Sequence, residues 1–191
     1  MKAQNSNLLI IGAVVVVLLL AGLMAVLTYN KLVALNQDVD NSWANVQTQY
    51  QRRADLIPNL VETVKGYASF EAGVLENITA ARSAWANAKS PTDQIAAASG
   101  LDSAISRLLV VSENYPDLKA NQNFLGLQDE LANTENKLAV ERQRYNDKVR
   151  AFNTAIKTFP EVTFAGLFGF EERPYFEADK EAAAAPKVNF T

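Results

Sequence analysis

Between Leu8 and Thr28 the chain reads LLIIGAVVVVLLLAGLMAVLT, 21 residues without a charge. No other feature limits the fold as much. About 20 apolar residues cross the hydrocarbon core of a bilayer as a helix, whereas the apolar region of a secretory signal is usually about 7–15 residues. A cleavage site would want a small residue two positions before Ala25, and Leu23 stands there. The stretch is therefore read as an uncleaved transmembrane anchor, with a cleaved signal as the alternative. Ala21 and Ala25 form a small-xxx-small pair beside Gly22, a spacing that lets spanning helices approach closely. The blander explanation is that Ala and Gly are simply common in such helices. Lys2 precedes the run, and Lys31, Asp38 and Asp40 follow it. Counting positive charges on each side favours a cytoplasmic amino terminus and an exported domain.

Beyond the anchor, apolar residues recur at steps of three and four: Leu32, Leu35, Val39, Trp43, Val46, Tyr50 and Ile57, interrupted by Arg53. That spacing is one buried face of a helix. It continues through Leu60, Val64, Leu75, Ile78 and Trp85, with Gly66 and Gly73 marking a bend or break. At 1.5 Å per residue, an unbroken helix over residues 31–88 would be roughly 85 Å long. In KSPTD (89–93), Ser90 suits an N-cap, Pro91 the first helical position and Asp93 the dipole. The second helix turns Ile95, Ala98, Leu101, Ile105, Leu108 and Leu109 inward and ends near Tyr115-Pro116. Asn121 caps a third, with a seam at Phe124, Leu127, Leu131, Leu138, Tyr145, Val149, Phe152, Ile156 and Phe159. Thr134 and Arg142 interrupt that seam, and Phe159-Pro160 stops it. No alternating strand pattern competes.

The polar residues on these helices raise one question. RRADLIPNLVETVKGY (52–67) places Pro58 inside a helical pattern, at a cost of about 3 kcal/mol or more. Pro58 frees the carbonyl of Ala54, which then needs a donor from Asn59, water or an arginine on a facing helix. Arg52, Arg53, Asp55, Asn59, Glu62 and Lys65 surround it as a polar stripe. The third helix carries a comparable set at Glu130, Thr134, Glu135, Arg142, Tyr145 and Asn146, and ENYPDLK adds Glu113, Tyr115, Asp117 and Lys119. Such groups most often pair across a bundle and fix its register. A docking site for another chain is the functional alternative, and in either case Pro58 is read as a hinge or register device.

Composition closes off most catalysis. With no histidine and no cysteine, the chain builds no Ser-His-Asp triad, thiol nucleophile or Cys/His zinc site. Carboxylate di-iron sites of helical bundles come with Glu-x-x-His pairs, so a metal on Glu62, Glu130 and Glu135 is poorly supported. A net charge of −3 gives no basic footprint for nucleic acid.

Several stretches carry a family likeness: YNKLVALNQDVDNSW (29–43), QYQRRADLIPNLVETVKGYASFE (49–71), ENYPDLKANQNFLGLQDELANTEN (113–136), RQRYNDKVRAFNTAIKTFP (142–160) and GFEERPYF (169–176). Together they resemble the LemA family of bacterial membrane proteins, over nearly all of the chain after the anchor. The resemblance implies one N-terminal membrane attachment, an all-helical domain and a loose association with membrane proteases and envelope stress. It implies no catalytic residue. Many relatives look like lipoproteins with a lipid-bearing cysteine just before the Tyr-Asn found here as Tyr29-Asn30. AVLTYN has no cysteine, so attachment here falls to the span itself.

The expected fold is all-α: an N-terminal transmembrane helix followed by an elongated antiparallel bundle of long helices, with heptad-like seams consistent with coiled-coil association. The expected organisation is an anchor over 1–29, a helical bundle over 30–160 and an aromatic, Gly-rich segment over 161–191, whose last ten residues are mobile. Phe164, Phe168, Phe170, Tyr175 and Phe176 in that segment either cap one end of the bundle or face a partner or lipid headgroups. The expected function is a non-enzymatic, single-pass scaffold of the bacterial inner membrane with its domain on the periplasmic side. It needs no cofactor and assembles with copies of itself, other envelope proteins or membrane proteases. The alternative is a ligand sensor with a pocket among Tyr50, Tyr67, Tyr115 and Tyr145, signalling through the anchor.

Overall fold

The computed structural model describes residues 2–66 and 71–176, with side chains from residue 11 onward. Tyr67 and the tail beyond residue 176 lie outside the described residues, as does the mobility expected of that tail. The described residues form six helices and no strand: α1 (Lys2–Lys65), α2 (Ala72–Asn87), α3 (Pro91–Ser112), α4 (Pro116–Lys119), α5 (Gln122–Ala155) and α6 (Glu161–Ala165). The apolar run and the first amphipathic seam are thus one helix, which ends at Lys65, and α2 carries the seam on from Ala72.

Local sequence accounts for the boundaries. The Ser90 hydroxyl accepts from the Asp93 amide at 3.1 Å with Pro91 opening α3, and the Asn121 side chain accepts from the amides of Asn123 (2.9 Å) and Phe124 (3.2 Å) to start α5. Each satisfies donors that the first helical turn leaves orphaned. α3 stops three residues short of Tyr115, and α5 stops at Ala155, four residues before Phe159. The earlier stop corrects the predicted seam: Ile156 is still buried, but Phe159 is 80% exposed. Past Ala155 the chain no longer follows the helical period that would turn residue 159 inward.

The chain divides into two compact units. One comprises Met1–Asn41 and Asp147–Arg173, the other Ser42–Asn146 and Pro174–Thr191, so α1 and α5 contribute to both. In the second unit, α2 runs antiparallel to α1, pairing Trp85 with Tyr50 and Arg82 with Ala54. α3 returns parallel to α1, with Gln94 against Trp43 and Asp102 against Tyr50. α5 descends antiparallel, with Tyr145 against Trp43 and Glu135 against Arg53. The result is an up-and-down bundle, as the short loops require. Its core follows most of the predicted seam: Val46, Tyr50, Ile57, Leu60, Val64, Ile78, Leu101, Ile105, Leu108, Phe124, Leu131 and Leu138 are buried. Leu75, Ile95, Leu109 and Leu127 are instead half-buried at its edge, and Val74 is buried in place of Leu75.

In the first unit, α5 again descends along α1. Lys148 pairs with Asp38 at 2.7 Å, and Lys31 pairs with Glu161. Leu32, Val39, Val149, Phe152 and Ile156 are buried here, whereas the large apolar side chains between Ile11 and Leu27 are exposed.

Candidate functional site

In the second unit, a cluster of polar side chains sits where Arg53 and Arg142 interrupt the apolar seams. Asp102 of α3 lies between them. Arg53 reaches Asp102 at 3.1 Å and also pairs with Glu135, while Arg142 pairs with Asp102 and with the Tyr50 hydroxyl. Tyr50 in turn donates to Asp102 at 3.0 Å. The guanidinium of Arg142 also covers the rings of Tyr50 (5.3 Å) and Phe176 (5.5 Å), an attraction between cation and ring quadrupole. Three long helices are thereby cross-linked at one level, since Tyr50 and Arg53 belong to α1, Asp102 to α3, and Glu135 and Arg142 to α5. Burial pushes the Asp102 carboxyl above the ordinary carboxylate range, with Arg53 and then Arg142 pulling against it. Burial likewise raises the Tyr50 phenol, helped by the neighbouring Asp102 charge. Burial thus acts against the charged form of both groups, while the two arginines and the Tyr50 hydroxyl hold the Asp102 carboxylate by ion pairs and a hydrogen bond.

Pro58 lies one turn further along α1, exposed, inside a helix that continues to Lys65. The Ala54 carbonyl that Pro58 leaves without an amide accepts from Nε of Arg82, on the facing helix α2, at 3.1 Å. Ala54 is buried, so this donor replaces water that cannot reach it.

The tail closes the unit. Asn146 makes a two-way pairing with the Phe176 backbone, donating to its carbonyl and accepting from its amide, both at 2.9 Å, and the Tyr145 hydroxyl donates to the Pro174 carbonyl at 2.8 Å. Burial pushes the Tyr145 phenol up to about 12. So held, the Phe176 ring stacks on Trp43 (5.5 Å) and meets the edge of Tyr145 (5.7 Å). In the first unit Asn153, seven residues on, grips Arg173 in the same way, with both bonds at 2.9 Å. An asparagine amide offers both donor and acceptor, so it pairs with the backbone N–H and C=O of a single residue.

The remaining predicted residues scatter. Arg52 pairs with Glu130 at 2.9 Å on the surface, Lys65 with Glu62 at 2.9 Å, and Lys119 with Glu113. Asp55 accepts from Gln51 at 2.8 Å, and Asn59 is exposed. Tyr115 is half-buried at the start of α4. Glu62, Glu130 and Glu135 each face a different cation, and no three metal-ligating side chains converge among the described residues. Of the four tyrosines named for a pocket, Tyr50 and Tyr145 both contact Phe176, whose ring fills the space beside them. A separate surface cleft of about 510 Å³ is lined by Gln47, Thr48, Gln51, Trp85 and Gln94, among others. Gln94 holds one wall, accepting from Trp43 (3.2 Å) and Gln47 (2.8 Å) and donating to the Ala88 carbonyl (3.1 Å).

Sequence reasoning missed Asp102 and Asn153; it offered an arginine of a facing helix as one donor for the Ala54 carbonyl without singling out Arg82. Asp102 left a usable signal: it follows Ala98 by four and precedes Ile105 by three, a seam position held by a charge. Asn153 sits one heptad after Asn146 and beside Phe152, so its burial was readable in the same way.

A sequence model of the LemA family matches residues 42–190. The chain belongs to the LemA family. The matched region starts at Ser42, past the apolar run, and takes in the ion cluster and both asparagine clamps. This LemA-family chain is 24% identical to magnetosome protein MamQ 2 of Paramagnetospirillum magneticum, over 95% of its own length and 75% of that protein's. It is 29% identical to protein LemA of Metamycoplasma hominis, over 68% of its own length and 60% of the other's. Magnetosome protein MamQ of Magnetospirillum gryphiswaldense is 24% identical over 84% of this chain and 68% of that one. None of these names states a catalytic activity.

Proposed function

We propose that this LemA-family protein is a non-enzymatic, single-pass membrane protein that works through contacts made by its helical bundle. One observation carries the reading. From Ile11 to Leu27 the large apolar side chains of α1 are exposed, Leu18 by 66% and Leu19 by 68%, on a helix continuous with the packed seam. The uncharged run of 21 residues rises roughly 31 Å, the thickness of a hydrocarbon core. Lipid is the solvent that such a surface fits. α3 is also long and apolar enough to cross a membrane, but Ala98, Leu101, Ile105 and Leu108 are buried in the bundle and Asp102 serves the ion cluster. That supports a single span. The proposed organisation is the anchor over 1–29, the bundle over 30–160 and a closing segment over 161–191.

The ion cluster and the Pro58–Arg82 contact are read as register devices, since every charge in them has an internal partner. Working contacts then fall to the bundle surface, with copies of the chain, other envelope proteins or membrane proteases as partners, and the domain outside the inner membrane. The test uses the cysteine-free background. A single Ser103→Cys reporter, at an exposed position on α3, is treated with a membrane-impermeant maleimide on intact spheroplasts and again after lysis. Labelling before lysis supports the exported placement, and labelling only after lysis reverses it. Mass measurement in detergent tests assembly, and a monomer at every concentration removes self-association. The cleft beside Trp85 favours a second reading as a ligand sensor, which predicts a ligand-dependent rise in Tm lost in Gln94→Ala.

A further inference from the structure

In the first unit, α5 runs back along α1 toward the end of the apolar run. Lys148 meets Asp38, and thirteen residues later Glu161 meets Lys31, three residues beyond Thr28. The turn after α5 and the short α6 therefore come to the level at which α1 leaves the uncharged segment. Phe168 contacts Tyr29 edge-on at 5.1 Å, and Phe170 lies 6.1 Å from the same ring. Tyr29 is the first residue past Thr28, where an aromatic belt stands at a membrane–water boundary. At that same level three large apolar side chains project outward: Phe159 is 80% exposed, Leu167 79% and Val162 48%. The neighbouring aromatics instead pair with one another, since Phe164 stacks on Phe168 and Phe170 meets Phe152.

We infer that residues 159–167 form a second, interfacial membrane contact, seated in the lipid layer that α1 crosses. This rests on the anchor reading above and adds to it a lipid-facing surface on the domain itself. Lys31 stands roughly 5 Å along the helix axis from Thr28, and the headgroup zone on each side of a bilayer is about 5–8 Å deep. An element tied to Lys31 through Glu161 and to Tyr29 through Phe168 lies within that zone. Its apolar side chains gain by entering lipid rather than water, as those of helices lying in the interface do. The attraction is apolar rather than electrostatic. The cations of this end are each matched by a carboxylate: Lys31 by Glu161, Lys157 by Glu172 at 2.7 Å, and Arg173 by Asp40. Neutral lipid is therefore sufficient.

The test uses the full chain in phosphatidylcholine bilayers carrying nitroxides either near the headgroup or deep in the acyl region. Single cysteines from Phe159→Cys, Leu167→Cys, Leu19→Cys and Gln37→Cys carry an environment-sensitive fluorophore. Gln37 is exposed on α1, roughly 13 Å past Thr28. The expected pattern is stronger quenching by shallow than by deep nitroxides at 159 and 167, the reverse at 19, and little quenching at 37. Quenching at 19 with sites 159 and 167 behaving as site 37 overturns this inference and leaves the anchor standing. An unquenched site 19 overturns the anchor reading and this inference with it. Quenching at 159 and 167 that appears only with added anionic lipid, or vanishes with salt, overturns the apolar seating.

Discussion

The contact between Arg82 and the Ala54 carbonyl exists because residue 58 is a proline, and that dependence is measurable. Arg82→Met keeps most of the side-chain stem and removes the donor. Ala54 is 3% exposed, so its carbonyl loses its partner without gaining water. Leaving such a group unsatisfied costs about 1–3 kcal/mol. Pro58→Ala places an amide at the position that bonds the carbonyl four residues back, and it relieves the ring clash. In the Pro58→Ala background the Ala54 carbonyl no longer relies on arginine, and Arg82→Met loses only packing. The two changes therefore couple, by about 1–2 kcal/mol. Urea unfolding of the four proteins in detergent, followed through the buried Trp43 and Trp85, gives the four stabilities. Additivity within about 0.3–0.5 kcal/mol would show that the arginine does not answer the proline and would refute the reasoning.

Other consequences follow from the same contacts. Asp102→Asn removes the carboxylate shared by Arg53 and Arg142 and should cost about 2–4 kcal/mol in urea unfolding. Replacing Arg53, Asp102 and Arg142 together by apolar residues of similar volume, with Tyr50→Phe, should cost less than that single change, since Glu135 stays half-exposed to water and no buried charge or hydroxyl is left without a partner. Asn153→Ala breaks both bonds to Arg173 and should cost about 1–3 kcal/mol, seen as a lower Tm and faster proteolysis after residue 173. Alkaline pH should destabilise the bundle. Above pH 10 the unfolded chain gives up the Tyr145 proton while the folded chain, with its phenol raised to about 12, keeps it. That stability is whole below pH 10 and declines as pH climbs toward about 12, and Tyr145→Phe should flatten the urea-midpoint profile there, with the Tyr50 share remaining.

The sequence was most legible where a periodic signal has one physical meaning. Steps of three and four located the cores of α1, α2, α3 and α5, and Ser90 and Asn121 marked two starts because their side chains do what a helix terminus needs. Interruptions were legible too: Arg53 and Arg142 stood out as charges on apolar faces, and both belong to the ion cluster. Their shared partner was harder. Asp102 sits beside Leu101 at the seam's edge, and only the tertiary meeting of three helices turns it into the centre of the network. Arg82 belongs to no seam, and its role depends on a carbonyl 28 residues away in sequence that a proline has freed. The tail escaped for a related reason. Phe176 and Arg173 pair through their backbones, which carry no residue-specific signal, and only Asn146 and Asn153 give that pairing a side-chain trace. The apolar step of α5 continues to Phe159, yet helix and seam stop earlier and leave that ring exposed.

The proposed membrane role requires the exposed apolar length of α1 to lie in lipid. Alkaline carbonate extraction of membranes from cells making the full chain tests it directly, with a version lacking residues 8–28 alongside. The prediction is that the full chain stays in the membrane pellet until detergent is added, while the shortened chain appears in the supernatant. A full chain released by carbonate would contradict the anchor, and the exposed residues from Ile11 to Leu27 would then need a protein partner in place of a bilayer.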